Sequence, residues 1–193
     1  GWYDDENPLL VRAIDSRAGA VALTWAIGAG VEQVAAGAEV APELPEGISD
    51  LRIRAIDEAG NEAAKQFEVS VDRNGPLAAF GAFDHRDPTL VSAEAVDSHS
   101  GLQFAMLDFR RNGTDRWQTF AFAVPEPATG REPLSLSGRF PDEQLSEGAY
   151  ELRVVAVDRS GHRTVAHHRV DGTPALLQVP LRARASLTAG FIN

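Results

Sequence analysis

Three residues carry oxygen donors suited to a hard cation: Asp57 in the phrase "DEAG", and Asp72 and Asn74 in "VDRNGP". Calcium takes six to eight oxygens from carboxylates, carbonyls and water. Asp57, Asp72 and Asn74 are therefore the candidate calcium set, expected near a junction between repeated units. The further acidic motifs needed to complete such a shell are not evident. Capping of a tight turn accounts for Asp57, and for Asp158 in the second half, without any ion. No cofactor is expected.

Other chemistry is sparser. His167 and His168 are adjacent, and strand neighbours point to opposite faces, so the pair cannot grip one zinc ion. His85, His99 and His162 fall in predicted loops without ligand spacing. Ser98, His99 and Ser100 sit beside Gly101 and read as a turn. There is no cysteine, which excludes thiol nucleophiles, zinc thiolates and disulfides. No G-x-S-x-G elbow, H-E-x-x-H helix or phosphate-cradling glycine loop occurs, so the expectation is a chain that is not an enzyme. Trp117, Phe120 and Phe122 cluster in the stretch 110–144. Exposed on one sheet face they would form a binding surface for a glycan or protein ligand; alternating inward, they would be core.

The formal net charge is -10, the wrong sign for a phosphate-binding stripe or an anionic lipid surface. No nucleic-acid partner is expected. No apolar run approaches bilayer length, so no membrane insertion is expected either. The first ten residues show no basic flank or apolar signal core.

The elements that must position these residues come in two copies. "LPEGISDLRIRAIDEAGN" at 44–61 aligns without gaps on "LSEGAYELRVVAVDRSGH" at 145–162, with eight of eighteen positions identical. Upstream, "VRAIDSRAG" at 11–19 answers "AEAVDSHSG" at 93–101, and "VDRNGP" and "VDGTP" close the two units. Leu51, Ile53 and Ala55 alternate with arginines, the period of a half-buried strand. Asp57 and Gly60, like Asp158 and Gly161, occupy the first and fourth positions of a predicted type I turn. Each phrase is thus a strand, a structural turn and a returning strand. Asn112-Gly113 marks a further hairpin. The Ala-rich run at 29–41 reads as strand and loop. Short strands with turn signals and no convincing helical period predict antiparallel β-sandwiches.

Together "GWYDDENPLLVRAIDSRAG", "PEGISDLRIRAIDEAGNEA" and "VSVDRNGP" resemble the bacterial tandem immunoglobulin-like repeats, related to fibronectin type III. The resemblance spans both units. The second departs from it: the opening GWY is missing, His162 replaces Asn, and about nineteen extra residues intervene. Tyr150 stands where such sandwiches carry a tyrosine corner, and Ser49 fills that place in the first unit. The resemblance implies an all-β chain of two tandem antiparallel Ig-like β-sandwich domains, at 1–74 and 75–173. Residues 174–193 would begin a missing third module. It further implies an extracellular or cell-surface spacer or adhesive module, partnered by neighbouring modules of the same larger protein.

Overall fold

The computed structural model describes residues 1–15, 21–126 and 130–181. Among these the regular structure is strand, apart from one 3-10 turn at Asp142–Gln144. The chain divides into two compact units, Gly1–Asn74 and Gly75–Asn193. Both are antiparallel Ig-like β-sandwiches, and the fold is all-β.

Unit 1 comprises β1 (Trp2–Tyr3), β2 (Val11–Arg12), β3 (Val21–Ile27), β4 (Gln33–Val34), β5 (Glu39–Val40), β6 (Gly47–Asp57) and β7 (Glu62–Val71). A five-stranded sheet in the order β1-β7-β6-β3-β4 faces a ribbon of β2 and β5. The alternation read from the sequence aims Leu51 inward, and Leu51 packs with Trp25, Leu44, Val69 and Val71. The run at 29–41 supplies the two short strands β4 and β5. The first and last strands lie side by side in parallel, Trp2 opposite Ser70 and Tyr3 opposite Val71.

Unit 2 comprises β8 (Leu77–Phe80), β9 (Leu90–Val96), β10 (Leu102–Arg111), β11 (Gln118–Ala123), β12 (Leu134–Arg139), β13 (Gly148–Asp158), β14 (Arg163–Ala166) and β15 (Leu176–Val179). One sheet runs β11-β10-β13-β14 with β15 also on β13; the other runs β12-β9-β8. The core between them is larger than in unit 1 and includes Phe80, Leu102, Leu107, Phe109, Phe140 and Leu152. The Tyr150 hydroxyl donates to the Ser146 carbonyl at 3.0 Å, closing a tyrosine corner. Much of the stretch 110–144 is ordered as β11 and β12, with Leu136 and Phe140 buried.

Pairing of the last strand corrects the expected end of the second unit. β13 is eleven residues long, and β14 pairs only with its Val154–Val157 part. The remaining half would present unpaired main-chain groups. β15 supplies them a partner, from Gly148 opposite Val179 to Glu151 opposite Leu176. Ala175, Leu177 and Val179 alternate into the core. Residues 174–179 thus complete the second sandwich instead of opening a third; 182–193 lie outside the described residues. In unit 1 it is Val71 that stands opposite Gly47, so the structural counterpart of Val71 is Val179. "VDGTP" is a turn inside the returning strand, where the Asp171 carboxylate accepts from the Thr173 N–H at 2.9 Å and its hydroxyl at 2.6 Å.

Candidate functional site

The two repeated turns are built alike. In unit 1 the Asp57 carboxylate accepts from the Asn61 main-chain N–H at 2.8 Å and the Asn61 side chain at 2.7 Å. Gly60 sits at φ +84, a left-handed conformation that glycine adopts at little cost. The Asn61 side chain first, then its N–H, holds the Asp57 carboxyl below its ordinary value. In unit 2 Asp158 accepts from the N–H groups of Gly161 and His162 and from the Ser160 hydroxyl, all within 2.7–2.8 Å. His162 Nδ1 stands 3.2 Å from the other oxygen of Asp158. Gly161 is at φ +107. These carboxylates are engaged by the turns they close.

The candidate calcium residues are not brought together. Asp57 lies at the turn end of the β6–β7 hairpin, and Asp72 follows β7 at the opposite end. Ten residues of strand at ~3.3 Å each separate them by about 30 Å. The Asp72 carboxylate instead accepts from the Asn74 N–H at 3.1 Å. One ion cannot be held by Asp57 together with Asp72 and Asn74.

Ser98, His99 and Ser100 surround the carboxylate of Asp97, which accepts from the N–H groups of His99 and Gly101 at 3.1 and 2.7 Å. They form a turn on the Asp57 and Asp158 pattern. His167 Nδ1 is 3.3 Å from the Leu152 carbonyl, and the main chain of His168 bridges Pro174.

The three candidate aromatics divide between two faces of the same sheet. Asp108 pairs with Thr119 but Leu107 with Ala121, so Phe120 is an extra residue in the ladder. A bulge re-aims its side chain, and Phe120 packs edge-on against Phe109 and Phe140 in the core at 5.9 and 6.0 Å. Strict alternation would have placed Phe120 beside Phe122. Phe122 points outward, 59% exposed, and stacks on Phe104 at 5.6 Å between centroids.

Trp117 is outward too. Its ring lies 4.6 Å from the Arg110 guanidinium and 4.1 Å from that of Arg153, with His167 at 5.9 Å. Both arginines are fixed from the sheet. Arg153 donates to Asp108 at 2.8 Å, Arg110 donates to Glu151 at 2.7 Å, and the Thr119 hydroxyl braces Asp108 at 2.7 Å. The four charged residues occupy facing positions of β10 and β13, Asp108 opposite Arg153 and Arg110 opposite Glu151. This checkerboard cancels its own charge and offers the indole two flat cations, an attraction of ~0.5–2 kcal/mol each. The outward face of unit 2 therefore joins an aromatic pair, Phe104 and Phe122, to a polar group around Trp117. Apolar stacking beside arginine–carboxylate donors and acceptors is chemistry suited to a neutral, hydroxyl-rich ligand. The partners Arg110 and Arg153 were not singled out in the sequence, although their two-residue offset from Asp108 and Glu151 places all four on one face.

No protein-family model matches the chain, and no curated protein matches it in sequence. Among solved structures it is similar to the tetra-tandem repeat in the extending region of a large adhesion protein, at 18% identity and TM-score 0.40, covering 84% of this chain and 42% of that one. The mixed-linkage glucan utilization locus protein SGBP-B of Bacteroides ovatus, solved in complex with a mixed-linkage heptasaccharide, is 18% identical at TM-score 0.32, over 91% of this chain and 42% of that one. The chain thus spans under half the length of these two. It is also similar to the fibronectin(III)-like modules of Clostridium thermocellum CbhA, at 13% identity and TM-score 0.37, over 96% of this chain and 94% of that one.

Proposed function

We propose that the chain is a non-catalytic structural module of a larger bacterial surface or secreted protein, spacing that protein's other parts and partnered by its neighbouring modules. The observation that carries this reading is the parallel pairing of β1 with β7, extended by the Asp72 N–H donating to the Tyr3 carbonyl at 3.0 Å. Tension applied to the two ends of unit 1 pulls these adjacent strands in opposite directions along their length. Their hydrogen bonds then share the load in shear and do not open one after another. A spacer held under tension at a cell surface requires such a joint.

Force extension of the full chain between end-attached handles tests the reading. Unit 1 should open in one resolvable step, lengthening the chain by about 24 nm for roughly 70 residues at ~3.5 Å each. Tyr3→Pro, which distorts the β1 ladder, should lower that opening force. Opening of unit 1 without a resolvable force would refute it.

The outward face of unit 2 favours a second reading, a glycan-binding module. Phe122 offers an exposed ring beside the Arg110–Glu151 and Arg153–Asp108 pairs. Calorimetric titration with neutral β-glucan oligosaccharides, repeated on Phe122→Ala, is the test. Heat of binding that vanishes in the variant supports the reading; no heat at millimolar sugar sinks it.

A further inference from the structure

The larger sheet of unit 2 is apolar on both faces. Its inward face builds the core. On the outward face Phe122 stands opposite Met106, Met106 opposite Val155, and Val155 opposite Val165. Residues directly opposite in a ladder share a face, so one apolar row crosses all four strands β11-β10-β13-β14. Phe104 and Val157 form a second pair beside it. Val155 is fully buried within the row, Phe122 is exposed, and Phe104, Met106, Val157 and Val165 are half-buried.

The sandwich itself does not require this row. The matching positions of unit 1, read through the repeat and the ladder, are Val34, Thr24, Arg54 and Ala64. Arg54 there donates to Glu62 at 2.6 Å, an ordinary polar outer face. An apolar row that spans a whole sheet, rimmed by charged residues, marks a surface that a partner covers.

The pattern of the face specifies the partner. A half-turn about a line along the strands, midway between β10 and β13, lays the sheet on a second copy of itself. β10 then lies over β13 of the other copy, and β11 over β14. The opposed residues are those of the ladder: Met106 over Val155, Phe104 over Val157, Asp108 over Arg153 and Arg110 over Glu151. Phe122, in the row with Val165, lies over it. Every opposed pair is apolar or of unlike charge, the self-complementarity that a two-fold contact needs. Sheets packed about 10 Å apart with strand directions within about 30° keep this correspondence near the axis. Trp117, which lies over both arginines, then stands at the axis against its own copy. The four charges of the face cancel, so the net charge of -10 is carried by other surfaces.

We infer that the outward face of unit 2 is a self-association surface, on which a second copy of the chain packs face to face about a two-fold axis along β10 and β13. Size agrees with this. Four strands about 4.8 Å apart, with the ten residues of β10 at ~3.3 Å each, give a face of roughly 600 Å². Specific dimers bury ~600–1,000 Å² on each partner, so this contact stands at the lower edge and associates in the micromolar range. A dimer so built closes the face that the glycan reading leaves open.

Sedimentation of the full chain from about 1 μM to about 1 mM, the span in which contacts of this size come apart, tests the inference. The mass should double within that span. Phe122→Asp, at an exposed position, should raise the midpoint concentration at least about tenfold. Arg110→Glu and Glu151→Arg should each sediment as single chains. An equimolar mixture of the two should regain the doubled mass, because each offers the charge that the other's face lacks. Mixing cannot restore a lost fold, so recovery reads the contact and not the stability of either variant. A single-chain mass at every concentration overturns the inference, whether or not that single chain binds a β-glucan oligosaccharide. Doubling that survives Phe122→Asp unchanged overturns it too, since the contact then lies on another face.

Discussion

Substituting Leu177 tests whether the last described strand belongs to the second sandwich. Leu177 is 4% exposed and packs in the core of unit 2, while Leu176 beside it is 51% exposed. The same truncation at the two positions therefore differs only in which face of β15 it touches. Leu177→Ala removes buried methyl groups and leaves a cavity, at a cost of about 3 kcal/mol. For a domain of about 100 residues the unfolding entropy is near 0.2 kcal/mol/K, so the thermal midpoint should fall by about 14 °C. In urea, with a slope of about 1.5 kcal/mol/M, the midpoint should fall by about 2 M. Leu176→Ala should stay within about 0.5 kcal/mol of the parent.

The assay can watch the units separately, because Trp117 belongs to unit 2 while Trp2 and Trp25 belong to unit 1. Fluorotryptophan NMR through a urea titration reads each transition at its own resonance. The Trp117 signal should shift in Leu177→Ala alone, with the Trp25 signal unmoved. Equal effects of the two leucines, or no effect of Leu177→Ala, would refute the assignment of β15 to the second unit. The reasoning from ladder completion would fall with it.

Further outcomes follow from the same geometry. Phe120→Ala should destabilise unit 2 by about 2–3 kcal/mol because its ring packs on Phe109 and Phe140, whereas Phe122→Ala should cost under about 1 kcal/mol; equal costs in denaturant titrations would deny the bulge. Tyr150→Phe should cost about 1 kcal/mol through the lost hydrogen bond to Ser146, read as a shift of the unit 2 midpoint. Acid should weaken unit 1: Glu62 is held below its ordinary value of 4.5 by its hydrogen bond from Arg54, and Asp57 below 3.8 by Asn61. A depressed folded value means stability present above the unfolded value and lost as pH falls through the folded one. The urea midpoint of unit 1 should thus be flat from pH 7 to about 5 and decline below about 4.5, with the decline reduced in Asn61→Ala.

Local rules determined much of this protein from its sequence. Period-two alternation marked β6 and β13, and Asp and Gly three residues apart marked the turns that join them to β7 and β14, because turn geometry is a property of adjacent residues. Duplication of the phrase disclosed the two units for the same reason. The strand lengths also held the answer on Asp57 and Asp72, since a ten-residue hairpin arm already keeps its ends apart. Only the tertiary structure decided the rest. Phe120 turns inward because Leu107 and Asp108 together face three residues of β11, a slip in pairing that no single strand records. Residues 174–179 look like the opening of a new module until β13 is seen to need a partner along its first half, and the interrupting turn at 169–173 disguises the returning strand. Side-chain periodicity and turn chemistry act within a few residues; pairing, bulges and uncovered edges are set by segments far apart in the chain.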